Sequence, residues 1–128
     1  MNNFELGEKM RARTKGFAVK ILKCYRKLPR TEEARVLGKQ LIRSGTSVAA
    51  NYRAVCRARS GPDFVSKLGT VLEEADGTLL WLELLEDSQT VSSGTLMGLK
   101  NEAKELMRIF SCSLATARRS QTPKLLNS

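Results

Sequence analysis

The sequence predicts an all-α protein: a single domain over residues 1–128 that folds as an antiparallel up-down-up-down four-helix bundle. Three observations carry this prediction. Only three prolines occur in 128 residues, at Pro29, Pro62 and Pro123, so helix breakers are rare. Between them, apolar residues recur at the three- and four-residue spacing of one helix face. Hydrophobic residues make up 41% of the chain, which is enough to build a folded core.

The first helix is predicted over about residues 9–28, after a loose lead-in at residues 1–8, and it ends before Pro29. Apolar residues from Phe17 to Leu28 form one stripe along it. Its basic residues form a second stripe, for which a solvated helix face is the simplest interpretation when that stripe is taken alone. The basic stripe consists of Arg13, Lys20, Lys23, Lys27 and Arg30.

The second helix is predicted over residues 32–59, with Thr31 as its N-cap. Basic residues occupy the face opposite its apolar side, and no acidic residue interrupts them. An exposed helix usually mixes charges, because opposite charges four residues apart stabilise it and like charges destabilise it. A face of one sign therefore predicts an anionic partner. The residues are Arg35, Lys39, Arg43, Arg53 and Arg57.

The middle of this helix is rich in small and polar residues, which favours a buried or half-buried polar network. Arg43, Ser47 and Asn51 follow each other at four-residue spacing. Their expected partners across the helix pair are Glu73 and Glu74 of the third helix. Catalysis by Ser47 is not expected, because no base is available to activate its hydroxyl.

The third helix is predicted over residues 62–87 and begins with Ser60 as N-cap and Asp63 three residues later, as in a capping box. Its second half is apolar nearly all round. In a bundle of this size no helix is surrounded by others, so such a surface predicts contact with another copy of the chain. The predicted interface residues are Leu80, Trp81 and Leu84.

A polar loop at residues 87–95 precedes the fourth helix, for which Ser92 or Ser93 is the candidate N-cap. The helix is predicted over about residues 95–119. Its outer face mixes acidic and basic side chains, as solvated helices do. Residues 120–128 are expected to fray.

No residue pattern predicts catalysis, a metal or a cofactor, so we expect a protein that is not an enzyme. Histidine is absent, and the isolated Cys24, Cys56 and Cys112 are expected to be reduced thiols in the core. The N-terminus lacks the apolar segment of a signal peptide, and no apolar run approaches the roughly 20 residues of a membrane span. We therefore expect a cytoplasmic protein without a membrane partner.

The charge is unevenly distributed along the chain, and this leaves two functional hypotheses. Residues 1–60 carry a net charge of +11 and residues 61–128 a net charge of −2. The first hypothesis is binding of RNA or DNA through basic faces of the first two helices, independent of sequence, since no base-reading motif is present. The alternative is a protein-interaction scaffold whose basic half docks an acidic partner.

Several short motifs in this order resemble the 23S rRNA intervening-sequence protein family. They are a Leu–x–x–Gln–Leu–x–Arg–Ser entry, a Ser–Val–x–x–Asn centre, a Ser–x–x–Asp–Phe turn, Glu–Ala and Trp–Leu–x–Leu–Leu. In this chain they comprise Leu37, Gln40, Leu41, Arg43, Ser44, Ser47, Val48, Asn51, Ser60, Asp63, Phe64, Glu74, Ala75, Trp81, Leu82, Leu84 and Leu85. One departure is Gly77, which stands where many members have a second acid.

This resemblance implies a four-helix bundle that assembles with copies of itself into a ring, most often a homopentamer. A related branch comprises the accessory proteins of diversity-generating retroelements, which are basic and bind nucleic acid and a reverse transcriptase. The motif residues resemble determinants of fold and assembly. The resemblance therefore implies an architecture more than an activity.

Overall fold

The computed structural model describes residues 2–126, and their side chains as far as residue 121. Four helices make up the described chain, and no strand occurs within it. They are α1 (Asn3–Arg26), α2 (Glu32–Cys56), α3 (Gly61–Asp87) and α4 (Met97–Leu126). None of the described helices is long and apolar enough to cross a membrane.

Side-chain caps define the starts of the first three helices. The Asn2 side chain accepts a hydrogen bond from the Glu5 amide at 2.8 Å, so α1 begins before the predicted residue 9. Thr31 caps α2 as the sequence predicts. At α3, Ser60 accepts from the Asp63 amide at 3.1 Å. The Asp63 carboxylate in turn accepts from the Arg59 amide at 3.1 Å, which pins the turn between α2 and α3.

The helix ends also differ from the predicted ones. After the last turns of α1 and α2, backbone N–H groups donate hydrogen bonds to carbonyls three residues back instead of four. The α-helices therefore end at Arg26 and Cys56, before the predicted residues 28 and 59. At its far end α4 continues through residue 126, beyond the predicted limit of 119. The Gln121 amide lies over Gly61 at the start of α3, which ties this end of α4 to the bundle. Residues 127–128 of the predicted frayed tail lie outside the described residues.

All four helices contribute to a single core. Its fully buried members include Phe17, Leu41, Leu82 and Phe110. The rings of Tyr52 and Phe110 stack with centroids 5.6 Å apart and join α2 to α4.

Along the chain, each helix packs against the next: α1 against α2, α2 against α3, and α3 against α4. In contrast, α1 and α4 meet over only a small area, and α1 and α3 do not pack against each other within residues 2–126. Consequently α1 and α3 occupy opposite corners of the bundle. The outward face of α1 and the outward face of α3 therefore point in opposite directions.

Close contacts show how neighbouring helices are aligned. Ile21 of α1 lies against Gly45 of α2, and Gly7 near the start of α1 lies beside Cys56 at the end of α2. Glu33 near the start of α2 accepts a hydrogen bond from Thr90, just beyond the end of α3, at 3.0 Å. The start of each of these helices thus lies near the end of the next.

Candidate nucleic-acid interface

Most of the basic residues predicted to bind nucleic acid are exposed and lack a partner. The predicted nucleic-acid contacts are the nine stripe residues other than Arg30, and six of these nine make no hydrogen bond or ion pair through their side chains to any described residue. An unpaired cation on the surface is available to a phosphate, because no internal contact must be broken first. These six are Lys20, Lys23, Lys27, Lys39, Arg53 and Arg57.

Arg13 is instead committed to a contact within the protein. Its guanidinium donates two hydrogen bonds to the Glu102 carboxylate of α4, both at 2.8 Å. This paired carboxylate raises the pKa of Arg13. The contact spans the small α1–α4 junction, so Arg13 holds the bundle together and is not free to bind phosphate.

Two further predicted cations are partly engaged. Arg35 pairs with Glu32 one turn earlier on α2, at 2.6 Å. Arg43 lies 3.4 Å from the Glu74 carboxylate of α3 and 3.4 Å from the Gln40 side chain. Both arginines are more than half exposed, so these contacts reduce their availability without removing it.

The two predicted basic stripes lie on different sides of α1. The α1 stripe follows the side marked by Arg13, which reaches α4. The α2 stripe, with Lys39 and Arg53, borders the side of α2 that Gly38 and Gly45 turn towards α1. The two therefore do not form one continuous surface.

Two exposed cations that neither stripe includes lie on the part of α1 between the two stripes. Lys15 and Arg26 lie on the outward face of α1 and make no ion pair within the described chain. Arg26 also lines a cavity of about 390 Å³ at the α1–α2 turn, together with Tyr25, Pro29 and Arg30. Sequence periodicity predicted which residues share a face of α1, but not which of these faces packs against α2. The glycines at 38 and 45 are the signal that could have shown it.

The predicted polar network is shorter than expected. Arg43 and Glu74 approach each other as predicted, whereas Ser47, Asn51 and Glu73 make no hydrogen bond through their side chains to described residues. These three lie at the half-buried or exposed rim, where water can hydrate them.

The buried polar contact between α2 and α3 is made by other residues. The hydroxyl groups of Ser44 and Thr78 lie 2.9 Å apart, and both residues are fully buried. Thr78 also lies within hydrogen-bond distance of the Glu74 carbonyl, at 2.7 Å. Because each hydroxyl has a partner, the pair fixes the α2–α3 register without an unsatisfied polar group.

The cysteines are more exposed than expected. Cys24 is half-buried, and Cys56 and Cys112 are exposed. Partial burial raises the pKa of the Cys24 thiol and that of the Cys56 thiol. Among the described residues no group of three or more His, Cys, Asp or Glu is arranged to hold a metal ion.

The apolar surface predicted on α3 is partly open. Leu80 is 48% exposed and Leu84 is 37% exposed, while Trp81 is half-buried against the core. Two valines elsewhere are similarly open: Val19 on α1 at 41% and Val36 on α2 at 52%.

The pattern of the 23S rRNA-intervening sequence protein family matches residues 9–112, which is most of the chain. The chain belongs to this family. A comparison with curated proteins finds no match.

A crystal structure of a family relative shares the fold. It is a protein of unknown function from the S23 ribosomal protein family of Bacteroides thetaiotaomicron. The two sequences are 31% identical, the match covers 85% of this chain and 97% of the other, and the TM-score is 0.79. Membership of the 23S rRNA-intervening sequence family thus accounts for the four helices.

Proposed function

We propose that this protein is a non-enzymatic, oligomeric protein that binds RNA or DNA through the basic faces of α1 and α2, and above all through that of α2. One observation carries the proposal: residues 34–62 contain six basic residues and no acidic one. Of these, Lys39, Arg53 and Arg57 are exposed and unpaired within the described chain. Such a surface attracts a polyanion and releases its counterions on contact.

The expected mode of binding is contact with the phosphate backbone rather than recognition of bases. Aromatic side chains that could stack on bases are scarce on this surface, since Tyr52 is buried and Tyr25 is half-buried. Lysine and arginine at open positions contact phosphates without regard to sequence. Affinity should therefore depend steeply on salt and weakly on sequence.

We further infer that the helices follow an up-down-up-down order and that copies assemble into a ring, for which the family resemblance implies a pentamer. The contacts of Ile21 with Gly45 and of Glu33 with Thr90 support the order. The open Leu80 and Leu84 support assembly, because exposed leucines side by side favour burial against another surface. A cytoplasmic location is part of the proposal, since three free cysteines are typical of a reducing compartment.

The test compares two double charge reversals that change the net charge equally. Lys39→Glu/Arg53→Glu alters the proposed surface, and Lys104→Glu/Arg119→Glu alters exposed positions of α4. Fluorescence polarisation with duplex DNA and hairpin RNA at ~50 and ~200 mM salt measures binding. The α2 variant should bind at least about tenfold more weakly, with a salt slope lower by about two, because two phosphate contacts are lost.

The α4 variant should bind much like the wild type, because its altered positions lie off the proposed surface. Equal losses in both variants would show that net charge alone, and not the α2 surface, drives binding. Absence of binding by the wild type at either salt would refute the proposal and favour an acidic protein as the partner of the basic half.

A further inference from the structure

Charge is segregated between two opposite corners of the bundle. Residues 9–31, which contain most of α1, hold nine basic residues and no acidic one. Residues 68–99, which contain most of α3, hold six acidic residues and no basic one. Because α1 and α3 lie at opposite corners, one side of each molecule is positive and the far side is negative.

The outward face of α1 has an open apolar centre with a basic border. Val19 is 41% exposed and points away from the buried side of α1, which includes Phe17 and Ile21. Beside it, a Cβ added at Gly16 would meet no described atom within 4 Å. The bordering cations make no ion pair with any described side chain, and they are Lys15, Lys23 and Arg26.

The outward face of α3 also has an open apolar centre, but its border is acidic. Leu80 and Leu84 are its open apolar residues, and Gly77 one turn earlier would accept a Cβ without meeting a described atom within 4 Å. A glycine within a helix costs about 1 kcal/mol relative to alanine, and nothing inside the described molecule requires it at this position. Four exposed acids without ion pairs to described residues border the face, namely Glu73, Asp76, Glu83 and Asp87.

The two faces also lie at overlapping heights along the bundle. Ile21 packs on Gly45, and the adjacent Ser44 bonds Thr78, so residue 21 of α1 and residue 78 of α3 lie near one level. In the up-down order proposed above, α1 and α3 run in the same direction. Val19 lies two residues before that level and Leu80 two residues after it, so the two side chains are about 6 Å apart along the bundle, roughly one helical turn.

We propose that the outward face of α1 in one copy docks onto the outward face of α3 in the next copy. This rests on the self-assembly proposed above and names the surfaces that perform it. Val19 packs beside Leu80 and Leu84, and the cations of one copy meet the acids of the other. Pairing of two α3 faces is disfavoured, because it would bring the unpaired acids of both copies together.

An interface of this kind is heterologous, since each copy contributes two different faces. Every copy that joins leaves one free face of each type, so the assembly grows until it closes into a ring or continues as a filament. The α2 cations Lys39, Arg53 and Arg57 belong to neither face, so they stay accessible in the assembly.

Two single substitutions test the proposal. Val19→Glu places an acid opposite the acidic face, and Leu80→Lys places a base opposite the basic face. Sedimentation velocity measures assembly, and circular dichroism confirms that each exposed-site variant remains helical. Each variant alone should sediment as a monomer near 14.2 kDa. Their equimolar mixture should associate into species of at least two copies, because the intact α3 face of one variant meets the intact α1 face of the other.

Val36→Glu is the matched control, since Val36 is a valine on α2 outside both faces and is even more exposed than Val19, and this variant should assemble as the wild type does. If Val19→Glu alone still associates, or if the mixture stays monomeric, the pairing of α1 with α3 is refuted. A monomeric wild type would refute self-assembly itself. The test with the α2 and α4 charge reversals would still decide whether the protein binds nucleic acid, because it does not depend on assembly. A second pair of variants reverses charges and leaves both apolar centres unchanged: Lys15→Glu/Arg26→Glu on α1 and Asp76→Lys/Glu83→Lys on α3. Each of these variants alone should be monomeric, and their equimolar mixture should associate.

Discussion

Glycines at equivalent helical positions in this protein have different consequences for packing. Gly45 lies in the interior of α2, and a Cβ there would lie 2.9 Å from two carbons of the fully buried Ile21. Gly69 lies in the interior of α3, and a Cβ there would meet no described atom within 4 Å. The intrinsic cost of glycine in a helix is the same at both positions, so the surroundings decide the effect of a substitution.

We expect Gly45→Ala to destabilise the protein and Gly69→Ala to stabilise it. At Gly45 the gain in helix propensity is smaller than the cost of overpacking Ile21, for a net loss of about 1 kcal/mol. At Gly69 only the propensity gain remains, and it amounts to at most about 1 kcal/mol. Urea denaturation of both variants at one protein concentration measures the difference. Equal midpoints would show that Ile21 moves aside at no cost.

The start of α4 is held by a side chain from another helix. The Glu86 carboxylate, at the end of α3, accepts hydrogen bonds from the Leu96 amide at 2.9 Å and from the Lys100 ammonium at 2.5 Å. The sequence predicted Ser92 or Ser93 as the cap. Sequence reasoning looks for a cap beside the helix it serves, and so it missed a carboxylate ten residues away.

The hydrogen bonds to Glu86 predict a pH dependence of stability. The Lys100 and Leu96 donors lower the pKa of Glu86 below its ordinary value of 4.5. The folded protein therefore binds this proton less readily than the unfolded chain. The stabilisation by Glu86 is complete above the unfolded pKa and is lost as the pH falls through the lower folded pKa.

Glu86→Gln tests this, because the amide keeps the size of the side chain and cannot ionise. The difference in unfolding free energy between wild type and variant should be constant at neutral pH and shrink as the pH falls below about 4.5. Denaturant titrations across that range measure it. Glu8→Gln is the control, since Glu8 lies on α1 outside both proposed faces and has only an exposed ion pair with Arg11 to lose. A difference that does not change with pH would contradict this role for Glu86.

At the scale of whole helices, the sequence predicted which segments are helical better than it predicted where they end. Periodic apolar residues account for the existence of all four, because burial of one helix face drives their packing. The ends depend on particular contacts. Asn2 extends α1 at its start, and Gln121 packs over Gly61 in the part of α4 that runs beyond the predicted end. Neither contact has a periodic signature.

The candidate site shows a similar limit. Each basic stripe followed from the spacing of residues on one helix, but the rotation of α1 relative to α2 did not. That rotation is set by side-chain packing, such as Ile21 on Gly45. It places Arg13 against Glu102 and brings Lys15 and Arg26 to the open surface. A helix-by-helix reading cannot exclude Arg13, because its partner is 89 residues away.

For the whole molecule, the proposed assembly and the proposed binding are linked through multivalency. Each copy offers the same α2 cations, and a chain or ring of copies offers several such sets to one long nucleic acid. Binding of the first set then raises the effective concentration of the next. A short duplex engages one set only, so it gains nothing from assembly.

Leu80→Lys should therefore weaken binding to long duplexes selectively. On about 60 base pairs we expect at least tenfold weaker binding, whereas on about 12 base pairs the affinity should be unchanged or slightly higher. The added lysine raises the positive charge, so a loss of affinity cannot come from net charge. Polarisation with both lengths at one salt concentration measures the effect. Equal changes at both lengths would show that the copies bind nucleic acid independently of one another.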